Sequence, residues 1–216
     1  MLSRLRGAMA ALLTPLARVL LRIGVTPDAV TVLGTVGVVA VALWAFPTDR
    51  LTLGAVVIGL FAVLDSLDGT MARLSGRSGP WGAFLDSTLD RAADAGIFCG
   101  LLAFFLLHTD GTLRTWGMVS ALCCLVLGNL VSYARARAEG LDMTASVGIA
   151  ERAERLVVSL LAAGLVGLGL PVVVLVVALA VLAAASGVTV VQRMATVRTQ
   201  ALATRTTPGA APSPGG

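Results

Sequence analysis

A chain of 216 residues with 57% apolar and 13% charged side chains is not an ordinary soluble domain, in which about a quarter of residues carry charge. A soluble core of this size would not need so many long apolar runs. Cys99, Cys123 and Cys124 all fall inside such runs and two are adjacent, which excludes a disulfide framework. The net charge of +4, carried by arginines alone on the basic side, acquires meaning only from where those arginines fall.

Residues 1–25 open with GAMAALL behind Arg4 and Arg6, but Pro15, Arg18 and Arg22 interrupt the apolar stretch and no cleavage site follows. This reads as an amphipathic interfacial helix on the cytoplasmic surface. In TPDAVT (26–31), Thr26 suits an N-cap and Pro27 the first helical position. Six apolar runs follow within a single membrane domain, residues 26–200, beginning near Val30, Leu51, Gly82, Leu113, Val147 and Pro171. Each is long enough to cross roughly 30 Å of hydrocarbon. Turn chemistry separates them at FPTDR (46–50), SGRSGP (75–80), HTDGT (108–112) and GLGLP (167–171). The Pro/Gly-rich end, residues 201–216, reads as a disordered tail. The fold class is thus an all-α membrane protein with six transmembrane helices and an interfacial helix before them.

Arginine placement orients the bundle. Only Arg50 and Arg114 fall on one side's connections, while the rest cluster at both termini and at the other connections. By the positive-inside rule that richer face is cytoplasmic, in the cell membrane, with both termini on it. The charge faces lipid headgroups and soluble anions at the membrane, not nucleic acid.

The costly residues lie in DSLDGTMAR (65–73), next to the apolar LTLGAVVIGLFAVL. Asp65 and Asp68 are spaced i, i+3 and share a helix face. Asp86 and Asp90, spaced i, i+4, share a face of the next run. A rise of 1.5 Å per residue puts Asp65 about 20 Å in from Leu51 and the second pair about 6–12 Å in from the cytoplasmic end. A short loop at 75–80 would make the two runs antiparallel neighbours and bring all four carboxylates together. Such a cluster must be protonated or neutralised by cations. An oxygen-only donor set suits Mg²⁺ or Mn²⁺, with open positions for a phosphate, and the only histidine, His108, lies on the opposite side. The alternative is a set of salt bridges to Arg73, Arg77 and Arg91 that merely hold helices together.

The residues from 65 to 90 follow D-x2-D-G-x2-A-R-x8-G-x3-D-x3-D at Asp65, Asp68, Gly69, Ala72, Arg73, Gly82, Asp86 and Asp90. This resembles the signature of the CDP-alcohol phosphotransferase family. The resemblance implies a six-helix membrane enzyme, a homodimer, with two Mg²⁺ or Mn²⁺ ions in a cytoplasm-facing site. Asp65, Asp68, Asp86 and Asp90 would be metal ligands, and Asp90 also the general base. Asp28, Ala29, Val30, Thr31, Gly69, Ala72, Arg73 and Gly79 would bind CDP-diacylglycerol. Close packing of small residues is the competing explanation for Gly69 and Ala72.

The cytoplasmic segments SYARARAEG (132–140) and GIAERAERL (148–156), with Arg193, supply guanidinium forks suited to a phosphorylated polyol acceptor. Arg135, Arg152, Arg155 and Arg193 are the acceptor-phosphate candidates. Both segments are similar to those of the family branch that makes phosphatidylinositol phosphate from CDP-diacylglycerol and inositol 1-phosphate. Glycerol 3-phosphate is the alternative acceptor. An ion-coupled transporter would also bury carboxylates, but neither repeated halves nor interrupted helices are visible.

Overall fold

The computed structural model describes residues 13–76 and 79–206, the last three by backbone alone. Helix α1 covers 13–22 and is followed by α2 Pro27–Ala45, α3 Leu51–Leu64, α4 Ser66–Ser75, α5 Pro80–His108, α6 Gly111–Glu139, α7 Arg152–Gly167 and α8 Val173–Thr206. No strand occurs among the described residues. Residues 1–12 of the interfacial segment and 207–216 of the tail lie outside them. Helix α8 runs past residue 200, where the tail was expected to begin.

Local chemistry sets the ends. The Thr26 hydroxyl caps α2 by accepting the Ala29 N–H at 3.2 Å, and Pro27 fills the first turn. Helices α3 and α4 form one stretch, Leu51–Ser75, with its single irregularity at Asp65. Asp65 keeps right-handed helical angles and its N–H still reaches the Phe61 carbonyl at 2.8 Å, so the chain is not broken there. Gly76, at φ 66°, stops α4 in the left-handed conformation that only glycine adopts without strain.

Among the described residues, five helices are long and apolar enough to span a bilayer: Pro27–Ala45, Leu51–Ser75, Pro80–His108, Gly111–Glu139 and Val173–Ala203. The fifth of the six expected runs differs. Helix α7 begins at Arg152, not near Val147, and its 16 residues give about 24 Å of helix. The preceding residues are held in non-helical form from α8. Thr189 Oγ1 accepts the Ile149 and Ala150 N–H groups at 3.2 and 3.1 Å, and Arg193 Nε donates to the Val147 carbonyl at 2.9 Å.

Helix α2 packs against α5, α3 and α4, while α6 packs against α8 and α5, and α7 against α3 and α8. Phe46, Ile58, Phe98, Leu101, Phe105, Ala121, Leu175 and Leu179 fill the core. Large apolar side chains also cover the outside, among them Val56, Leu60, Val126, Leu161, Val177 and Val181. Hydrocarbon is the solvent that such a surface fits, and the chain is a multi-pass membrane protein. Helix α1 packs onto the bundle through its apolar side. Leu13 and Ala17 are buried against Leu67 and Met71 of α4, while Arg18 and Arg22 stay exposed.

Candidate active site

The two acid-bearing helices are not the tightly packed neighbours that their short loop suggests. Helices α4 and α5 each pack against α2, which keeps them apart and leaves a cleft between them. Direct packing would have closed the space into which the carboxylates project.

Asp65, Asp68 and Asp86 converge in this cleft, each offering a carboxylate oxygen within 4.8 Å of the others. Asp68 is the most firmly held. The Thr31 hydroxyl donates to its Oδ2 and the Gly69 N–H to its Oδ1, both at 2.5 Å. Asp86 is exposed and Asp65 half-buried. Three convergent carboxylates without nitrogen or sulfur donors fit a hard divalent ion such as Mg²⁺ or Mn²⁺.

Asp90 stands slightly apart. Its Oδ1 accepts Arg152 Nη1 at 2.8 Å, and the same nitrogen lies 3.7 Å from Asp65 Oδ2. Of the arginines in the salt-bridge alternative, neither Arg73 nor Arg91 pairs with Asp90. Arg73 donates to the Thr70 hydroxyl, Arg91 turns back to the Ser87 carbonyl, and Arg77 lies outside the described residues.

Two cavities meet at Asp68 and Thr31, which line both. One, of about 340 Å³, is walled by apolar residues of α1, α2, α3 and α5, including Leu20, Leu33, Phe61 and Ile97. Its polar end is formed by Asp65, Asp68, Asp90 and Arg152. The other, of about 270 Å³, is lined by Asp28, Gly69, Ala72, Arg73, Gly79, Gly82 and Asp86. Val30 lines the first cavity and Ala29 neither.

Space around Gly69 separates two explanations for its small size. Among the described residues a Cβ there would meet only Arg73 Nη1, at 3.7 Å, so none of the described helices packs against it. A Cβ at Gly100, in contrast, would collide with the Ala42 carbonyl. Gly69 opens a cavity; Gly100 packs a helix.

The profile of the CDP-alcohol phosphatidyltransferase family matches residues 24–191. The chain belongs to that family. It is an enzyme of phospholipid biosynthesis, a phosphatidyltransferase. It is 47% identical over 205 residues to the phosphatidylinositol phosphate synthase of Cutibacterium acnes, covering 92% of this chain and 98% of that one. The Mycobacterium tuberculosis H37Rv protein of the same description is 44% identical over 199 residues, covering 90% and 89%. The crystal structure of the Mycobacterium tuberculosis enzyme with CDP-DAG bound superimposes with a TM-score of 0.82 at 43% identity, over 87% of this chain and 94% of that one. A second structure of that enzyme, in complex with manganese and citrate, also gives 0.82, over 87% and 89%.

The acceptor candidates of this phosphatidyltransferase occupy different settings. Arg135 is exposed and bonded to Glu139 at 2.8 Å. Arg193 is 3% exposed and donates to the carbonyls of Val147 and Val131. Arg155 is 1% exposed, reaching Asp94 at 2.9 Å and the Ala150 carbonyl at 3.2 Å. Gly128 makes room for it, since a Cβ there would lie 3.0 Å from Arg155 Nε. Asp94, which also lies 3.4 Å from Arg152 Nε, is the residue that reading the sequence missed. Its signal was present in DRAAD (90–94), which extends the i, i+4 series from Asp86 and Asp90 by one more step.

Proposed function

We propose that the enzyme transfers the phosphatidyl group from CDP-diacylglycerol to inositol 1-phosphate, giving phosphatidylinositol phosphate and CMP. The observation that carries this reading is the junction at Asp68 and Thr31. An apolar cavity and a glycine-lined one with Arg73 at its wall meet at a carboxylate cluster. A substrate with acyl chains at one end, a nucleotide at the other and a diphosphate between suits that shape and charge.

In this reading the cytidine end lies along Asp28, Thr31, Gly69, Ala72 and Gly79, and Arg73 meets the diphosphate with its fork. The diacylglycerol end enters the apolar cavity past Val30. Asp65, Asp68, Asp86 and Asp90 hold two divalent ions, which when bound supply the positive charge that stabilises a transferring phosphoryl group. Asp90 takes the proton of the acceptor hydroxyl. The hydroxyl oxygen forms its new bond to the lipid-side phosphorus, and the diphosphate bond breaks to release CMP. Arg135, Arg152 and Arg193 frame the acceptor's phosphate, and Arg155 serves the same site by bracing Arg152 from behind. The relatives' shared description, phosphatidylinositol phosphate synthase, supports this choice of acceptor.

Helix α7 with the residues leading into it forms the sixth crossing, so both termini and the cleft face the cytoplasm. Residues 26–200 form the catalytic membrane domain, and two copies associate as a homodimer.

Purified protein supplied with CDP-diacylglycerol and, separately, inositol 1-phosphate, free inositol, glycerol 3-phosphate or serine tests the reading. CMP release and the product mass should single out inositol 1-phosphate. Turnover with glycerol 3-phosphate alone would replace the acceptor, and turnover with none of the four would remove the proposed reaction.

A further inference from the structure

Three carboxylates converge on one guanidinium. Arg152, in the first turn of α7, places Nη1 2.8 Å from Asp90 and 3.7 Å from Asp65, with Nε 3.4 Å from Asp94. Asp65 therefore serves two groupings, the cluster with Asp68 and Asp86 and the arginine's own. Behind Arg152 the arrangement is built to hold. Asp94, 6% exposed, also accepts Arg155 Nη2 at 2.9 Å, and Arg155 Nη1 donates to the Ala150 carbonyl just before α7. The pair Asp94–Arg155 thus fixes the backbone from which Arg152 extends. A guanidinium and a divalent ion cannot share the same carboxylate oxygens without mutual repulsion, which is strongest where water is scarce.

We infer that Arg152 is a resident counter-ion that competes with a divalent cation for Asp65 and Asp90, and that Asp94 is the positioning residue that draws it back from them. The inference rests on the metal-dependent reading above. Two substitutions should then act in opposite directions. Removing the charge of Arg152 frees Asp65 and Asp90 for the ion. Removing the charge of Asp94 hands Arg152 to them more completely.

The test is a Mn²⁺ titration of the purified full chain without substrates, following the electron paramagnetic resonance signal of free Mn²⁺. Arg152→Gln should bind Mn²⁺ about three- to tenfold tighter than the wild type. Arg152→Lys, which keeps the charge, should stay near the wild type, and Asp94→Asn should bind more weakly. Damage to the pocket in general would weaken every variant, so the opposite signs are diagnostic. Should Asp94→Asn fail to fold, the two Arg152 variants decide the matter alone. Unchanged or weaker binding by Arg152→Gln overturns the inference and leaves metal dependence standing. Absence of Mn²⁺ binding by the wild type removes the metal-dependent reading itself.

Discussion

Thr31 donates its hydroxyl proton to Asp68 Oδ2 at 2.5 Å, tying the second turn of α2 to α4. Both residues are buried and both line the two cavities, so this bond sits at the hinge of the proposed substrate path. A hydrogen bond to a charged acceptor contributes about 1.5–3 kcal/mol. Thr31→Val keeps the shape and removes the donor. It is expected to lower kcat/KM roughly ten- to a hundredfold, while Thr31→Ser retains most activity, as measured by CMP release.

Arg155 and Asp94 form the most deeply buried ion pair among the described residues, at 1% and 9% side-chain exposure. Removing Arg155 leaves buried Asp94 only its longer contact to Arg152, at 3.4 Å; breaking a buried pair costs about 3–5 kcal/mol, whereas replacing both partners by apolar groups costs far less. Arg155→Met should therefore lower the thermal midpoint of the purified protein sharply. Adding Asp94→Leu should recover much of that loss. A double mutant no more stable than Arg155→Met would contradict the buried pairing.

Gly69 and Gly100 separate function from packing. At Gly69 a Cβ has only Arg73 Nη1 nearby, at 3.7 Å, so Gly69→Ala should fold and gain about 0.5–1 kcal/mol of helix stability. Its cost should fall on KM for CDP-diacylglycerol. Gly100→Ala forces a Cβ into the Ala42 carbonyl and should destabilise by about 1–3 kcal/mol. Thermal midpoints and KM values of the two variants check the contrast.

Chelation should abolish turnover and added Mg²⁺ or Mn²⁺ should restore it, because convergent carboxylates need a cation before they can meet a diphosphate. Asp86 is exposed, so Asp86→Asn should leave the fold intact. Its activity should nevertheless fall about a thousandfold or more, a loss of roughly 4 kcal/mol in transition-state stabilisation. Full activity of Asp86→Asn, or turnover in the presence of chelator, would count against a metal site here.

Much of this molecule is legible residue by residue. The turn-rich breaks at 46–50 and 108–112 fall where helices end, Thr26 caps α2, Asp86 and Asp90 lie on α5 and Asp68 on α4, while Asp65 sits at the joint between α3 and α4. Lipid enforces this legibility. A segment that crosses hydrocarbon must be apolar along its length and must satisfy its backbone within itself, so the rule is written locally in the chain.

What the tertiary structure decided is how the polar groups pair. Placing α2 between α4 and α5 opened the cleft, and Thr189 and Arg193 of α8 kept residues before Arg152 out of a helix. Arg152, not Arg73 or Arg91, became the partner of Asp90, and Asp94 became its anchor. Apolar runs do not encode such choices, because a helix face loses little by exchanging lipid for another helix. The sequence by itself determined five of the helices long and apolar enough to cross a bilayer and the acids that they carry. Only packing between helices distant in the chain determined which guanidinium those acids would meet, since desolvated charges take whichever partner the fold brings within reach.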